Sequence, residues 1–254
     1  MRQLTLTALE GLPEIELGAP LAPLLVQAVE RTGSRLETGD VLVVAQKIVS
    51  KAEGRRVALS QVKPGARALE LARVVQKDAR LVELMLSESR EVLRARPGVL
   101  ILEHRLGFVM ANAGLDRSNV GSTGDEACAL LLPEDPDASA RALRLALRGL
   151  SHIEVGVIIN DSFGRAWRNG VAGVAIGVSG VPALVDMRGK ADRQGRPLEM
   201  TQVAAADELA AAASLLMGQA DESVPAVLVR GFPYAARESS ARELVRPREE
   251  DLFR

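Results

Sequence analysis

The chain has 254 residues, enough for one large domain or two smaller ones around a substantial core. Hydrophobic residues make up 47% and charged residues 26%, the balance of a globular protein. The net charge of −1 and the 2% aromatic content exclude the basic field and stacking platforms of a nucleic-acid binder.

The one cysteine, Cys128, excludes an internal disulfide and a Cys-rich zinc site, and two histidines are too few for a histidine metal cage. The start carries no long apolar run, and no segment reaches the roughly 18 apolar residues of a membrane span. A cytoplasmic setting without a membrane segment is therefore expected.

In chain order, residues 4–9 alternate weakly and predict an edge strand. Pro20 to Thr32 has helical apolar spacing with Gly33 as its stop. Gly39-Asp40 opens a buried strand, Val41 to Val44. It runs directly into Ala45-Gln46-Lys47-Ile48-Val49-Ser50-Lys51, read as a basic turn. Two lysines and a serine at a strand's C-terminal end can form a phosphate site; a solvated basic turn is the competing reading. The glycine arc of a P-loop is missing.

Residues 66–90 read as helical. Val99 to Leu102 and Phe108 to Met110 read as strands, with His104 between them in a solvated hairpin. Ala111 to Val120 is a polar loop from which Asp116 and Asn119 can point at one ligand. Cys128 reads as buried. A helix is predicted over 138–149, followed by the apolar strand Val155 to Ile159.

That strand leads into Asn160-Asp161-Ser162-Phe163-Gly164-Arg165-Ala166-Trp167-Arg168-Asn169-Gly170. A carboxylate, a hydroxyl and two arginines at a strand end suit a metal beside a phosphate, because hard cations take oxygen ligands and guanidinium matches phosphate. A polar turn capped by Asp161 accounts for the same residues. The glycines at 170, 173, 177 and 180 do not form a dinucleotide fingerprint and instead predict close backbone approach. Thr201 is the expected N-cap of an Ala-rich helix ending at Gly218, and 226–230 is a strand. Strands and helices alternate irregularly, so the expected class is α+β, or mixed α/β.

Several blocks taken together resemble the coenzyme F-420:L-glutamate ligase family: Leu12-Pro13, Gly39-Asp40 through Lys51 to Arg55, Ala111 to Gly114 through Ser118-Asn119, Asn160 through Trp167-Arg168, Met217-Gly218-Gln219, and Val229-Arg230-Gly231. Their order and spacing, over roughly residues 9–231, are more specific than any one block. The resemblance is to the stand-alone form, without an added nitroreductase-like domain. Ala166 departs from a proline expected between Arg165 and Trp167.

The resemblance implies a GTP-dependent enzyme joining L-glutamate to the deazaflavin F-420 precursor through an acyl phosphate. It also implies two divalent ions (magnesium or manganese), potassium and an intertwined homodimer. It implies a two-lobed ligase unit over 1–254, with two closely associated subdomains; the charged residues of 237–254 themselves predict a peripheral tail. Asp116, Asp161, Ser162 and Gln219 are the implied metal ligands. Leu12, Pro13, Glu14, Ile15, Gln46, Lys51, Asn119 and the segment Met217, Gly218, Gln219, Ala220, Asp221, Glu222, Ser223, Val224 are the implied GTP-binding positions. Arg165 and Arg168 are candidates to hold the substrate carboxylate or the acyl phosphate, on their spacing beside Asp161. An amide ligase for another carboxylate acceptor, and a non-catalytic nucleotide-binding protein, are the alternatives.

Overall fold

Four apolar residues in a row after Gly39-Asp40 leave no polar face, the pattern of a strand covered on both sides. In the computed structural model, which describes residues 3–117 and 127–251, this run is the centre of the main sheet. In chain order the strands are β1 (Thr5–Ala8), β2 (Val41–Ala45), β3 (Arg56–Ala58), β4 (Ser89–Arg96), β5 (Val99–His104), β6 (Val109–Ala111), β7 (Cys128–Leu130), β8 (Gly156–Arg165), β9 (Arg168–Ser179), β10 (Val185–Asp186), β11 (Gln202–Val203) and β12 (Ala226–Arg230). The helices are α1 (Leu21–Arg31), α2 (Gln46–Ala52), α3 (Ala66–Val75), α4 (Ala79–Ser87), α5 (Pro136–Ser151) and α6 (Ala205–Met217). The fold is α+β, as expected.

The main sheet has the order β1-β12-β2-β8-β9. Only β2 and β8 run parallel, in register from Val41 opposite Gly156 to Ala45 opposite Asn160. The other neighbours are antiparallel. Both parallel strands therefore end on the same edge, the side where open sheets of this kind bind ligands.

The glycine spacing of β9 has a packing cause. A Cβ on Gly173 would collide with Ser214 Oγ and the Ala210 carbonyl of α6, and one on Gly177 with the Pro136 carbonyl of α5. A bulge between these positions (Ile159 opposite Gly177, Asn160 opposite Ala175) turns the two glycines to opposite faces. α6 thus closes one face and α5, with α1 packed on it, the other.

The buried apolar residues form two clusters. One fills the main sheet and its helices. The second joins α3, α4 and the β4-β5 hairpin to Ala113, Ala129 and Leu131. Glu88 lies among side chains from separate parts of the chain: Arg55 at 2.9 Å, Arg105 at 3.1 Å and His104 at 3.6 Å. Burial pushes its carboxyl up, but His104, Arg55 and Arg105 outweigh it and hold the group at about 2.

Several local expectations differ from the structure. The stretch 66–90 is not one helix: Gln76 is left-handed (φ 56°), and Asp78 accepts from the Arg80 amide to cap a second helix. Ser89 then starts a strand, turned at Pro97-Gly98. The basic turn after β2 is helix α2. His104 is fully buried, not solvated, with Nδ1 accepting from the Leu106 amide. Cys128 is half-buried. Thr201 lies outside α6, and Gln202-Val203 pairs with Val185-Asp186 instead. The tail is anchored: Ala241 is buried, and Asp137 accepts from both the Ala241 and the Val178 amides. Among the described residues no helix is long and apolar enough to cross a membrane.

Candidate active site

The C-terminal edge of β2 and β8 opens into a cleft of about 510 Å³. Its walls come from segments far apart in sequence. Leu12, Pro13, Glu14 and Ile15, between β1 and α1, form one. Gln46, Lys47, Ile48 and Lys51 project from α2, with Ala45 before it. Asn160, Asp161 and Ser162 come from the end of β8, and 217–225 from the loop after α6.

The strand pleat explains how Asp161 and Ser162 serve different sides. Consecutive side chains point to opposite faces. Ser162 Oγ donates to Gln219 Oε1 at 2.9 Å, on the α6 side. Asn160, two residues back and on the same face, donates through Nδ2 to Ser214 Oγ at 3.1 Å and Met217 Sδ at 3.3 Å. Asp161 faces the other way, toward Asp116 and Lys47, both of which act on its charge. Burial pushes the Asp161 carboxyl up to about 7; Asp116 adds to the rise, while the Ser162 amide and Lys47 oppose it. The surface that Asp161 retains opens to the cleft.

Asp116 does not line this cleft. It sits behind Lys47, whose Nζ is 2.7 Å from Asp116 Oδ2, in the wall of a second cavity of about 430 Å³ lined by the 76–78 turn, α4 and the 112–117 segment. Its backbone pairs in both directions with Leu130, N to O at 3.0 Å and 2.9 Å.

The positive side of the cleft is α2. Lys51, its side chain only 11% exposed, is held by Glu14 Oε1 at 2.5 Å. Gln46 is buried and accepts from Ser50 Oγ at 2.9 Å one helical turn on. The loop after α6 turns at Gly218, whose φ of 69° and ψ of −172° only glycine adopts readily. Glu222 folds back to accept from the Ala220 amide at 2.8 Å, and this bond holds its carboxyl below the usual range.

The donor chemistry suits a hard divalent cation. Asp116, Asp161, Ser162 and Gln219 each have an oxygen to offer as ligand, and Asp116 raises the Asp161 carboxyl through its like charge, which a nearby cation would relieve. Among the described residues no group of three or more His, Cys, Asp or Glu is placed to hold a metal. The protein oxygens alone are few, as is usual where substrate phosphates and water complete an octahedral magnesium shell.

The expected nucleotide positions Leu12 to Ile15, Gln46, Lys51 and Met217 to Val224 all line the one cleft, together with Asp161, Ser162 and Gln219. Asn119 lies outside the described residues. Arg165 and Arg168 do not line the cleft: they close the exposed tip of the β8-β9 hairpin, and Arg165 donates to the Asn169 carbonyl at 3.0 Å. Lys47, one of the two lysines weighed as a phosphate site, lines the cleft with Lys51, and so does Asn160, which was given no role from sequence. The segment is a helix, so residues 47 and 51 share one face.

The chain matches the model of the F420-0:Gamma-glutamyl ligase family over residues 11–231. It is 46% identical over 253 residues to the coenzyme F420:L-glutamate ligase of Methanothermobacter thermautotrophicus, covering 99% of each chain. It is also 46% identical over 245 residues to the enzymes of that name from Methanopyrus kandleri (95% of this chain, 94% of that protein) and Archaeoglobus fulgidus (96% and 94%). The chain belongs to the F420-0:gamma-glutamyl ligase family.

Proposed function

We propose that this protein joins L-glutamate to the F420-0 deazaflavin precursor and extends it through γ-linked amides, with GTP as the phosphoryl donor. The observation that carries this reading is the convergence on one cleft of acidic, hydroxyl, amide and lysine side chains from four distant segments. The names of the relatives support the substrates. Family likeness is also what supports potassium, a homodimer and a cytoplasmic setting.

Amide formation from a carboxylate and an amine is uphill in water. In the proposed sequence a carboxylate oxygen of the acceptor attacks the γ-phosphorus of GTP, and GDP leaves. The glutamate amine then attacks the acyl carbon, phosphate leaves with its oxygen, and the amine loses a proton. Such transfers depend on positioning and charge neutralisation. Lys51, steadied by Glu14, and Lys47 face the cleft as phosphate partners. Gly218 to Val224 forms a tight loop whose shape is set by Gly218 and the Glu222 cap. The Ser162–Gln219 bond ties that loop to the strand end. Two divalent metals, one held by Asp116 and Asp161 and the other by Ser162 and Gln219, would supply the remaining charge neutralisation. No protein nucleophile is needed. Arg165 and Arg168 remain in this reading as acceptor-binding residues at the hairpin tip.

The test incubates the protein with F420-0, L-glutamate, GTP and manganese or magnesium, and reads product mass and GDP. Glutamylated product with matching GDP is expected; neither appearing would overturn the reading.

A further inference from the structure

Lys47 holds one of the two carboxylates that the proposed function gives to one metal and is near enough to act on the charge of the other. Its Nζ is 2.7 Å from Asp116 Oδ2, and it acts on Asp161 as well. It also lines the nucleotide cleft, whereas Asp116 lies in the wall of the neighbouring cavity. The Lys47–Asp116 contact is thus part of the partition between the two. The Lys47 side chain is a third exposed, and the helix that carries it also carries Lys51, one turn on and facing the same cleft.

A divalent ion bound at about 2.1 Å to a carboxylate oxygen cannot share that oxygen with an ammonium at hydrogen-bond distance, and the two cations repel each other. We infer that Lys47 is a displaceable internal counter-ion: in the metal-free protein it holds Asp116, and on metal binding it swings from Asp116 into the cleft to meet a nucleotide phosphate. This rests on the metal and nucleotide assignment above. It makes Lys47 a positioning residue that couples loading of the metal to loading of the nucleotide. The lysine stem has the reach and flexibility for the exchange; an arginine, planar and able to grip a carboxylate bidentately, would leave it less readily.

The direct test is equilibrium Mn2+ binding to the full chain without nucleotide, by titration calorimetry, for wild type, Lys47→Met, Lys47→Arg and Asp161→Asn. Lys47→Met should bind Mn2+ about tenfold more tightly than wild type, within the usual size of a coupling between two sites. Lys47→Arg should bind it no more tightly than wild type. A second readout follows the lysine itself by reductive methylation and peptide mass mapping. Labelling of Lys47 should rise when Mn2+ is added and fall when GDP follows. Mn2+ binding in Lys47→Met equal to or weaker than wild type would overturn the inference, as would Lys47 labelling unchanged by Mn2+. Mn2+ binding that persists undiminished in Asp161→Asn would instead place the metal elsewhere, overturning the site assignment and the inference with it.

Discussion

Ser162 at the end of β8 and Gln219 in the loop after α6, 57 residues apart in sequence, are joined by a 2.9 Å hydrogen bond from Oγ to Oε1. This bond closes the cleft on the α6 side. It is exposed, so Ser162→Ala should cost the fold no more than about 1 kcal/mol in urea unfolding. If both oxygens hold a metal, the same change should lower ligase turnover at least about tenfold, with a weaker Mn2+ dependence. Loss of stability without loss of activity would assign the pair to the fold alone.

The Asp161 carboxyl gives a pH signature. Its value is raised from 3.8 to about 7 in the folded protein, mainly by burial and further by Asp116. A raised carboxyl stabilises the folded state most below its unfolded value, and that contribution is lost as pH rises toward 7. Asp161→Asn should therefore melt higher than the metal-free wild type at pH 8, with the difference shrinking toward pH 5. Mn2+ should raise the wild-type melting temperature more at pH 8 than at pH 5.5, where protons compete. Thermal melts at the two pH values, with and without Mn2+, check both statements.

Gly173 is where β9 meets α6. An added methyl would strike both Ser214 Oγ and the Ala210 carbonyl, and it would fall 2.7 Å from Asn160 Oδ1. Gly173→Ala should destabilise by about 1–3 kcal/mol, the usual range for forced overpacking. Pairing it with Ser214→Gly should recover only part of this, because the Ala210 carbonyl cannot move aside. Urea midpoints of the single and double variants measure it.

Arg230 grips Asp40 bidentately, Nε to Oδ1 at 2.8 Å and Nη2 to Oδ2 at 2.7 Å, and Asp40 is 1% exposed. Arg230→Ala leaves that buried carboxylate without its counter-ion, with only the Glu37 amide on Oδ2, a loss of about 3–5 kcal/mol when burial is complete. Arg230 is itself a third exposed, so water can enter and about 2 kcal/mol is expected. Turnover per folded molecule, measured well below the melting temperature, should change little, because neither residue lines the cleft.

The parts of the structure set by local sequence were legible early. The all-apolar run after Asp40 marked a central strand, Gly33 ended α1, and Ala226 to Arg230 kept its bounds. The glycines of β9 announced close approach, although not which helix approached. Where tertiary contacts decide, the sequence was mute. Nothing local says that Gln76 turns left-handed and breaks a helix, that His104 is buried beside Glu88, or that Ser240 and Ala241 are stitched to Asp137. The cleft was legible only through the ordered likeness to a ligase family, since its walls come from four separated segments. Lys47 was legible as a phosphate candidate, but not its pairing with Asp116, which the fold brings to it from 69 positions away along the chain.

The measurement that bears most directly on the central claim compares wild type with Asp161→Ala in one reaction mixture of F420-0, L-glutamate, GTP and Mn2+. Product mass and GDP are read over time, and fold is verified by circular dichroism. Glutamylated product and stoichiometric GDP are expected from the wild type, and neither from a folded Asp161→Ala. A folded variant that turns over near the wild-type rate would contradict that claim.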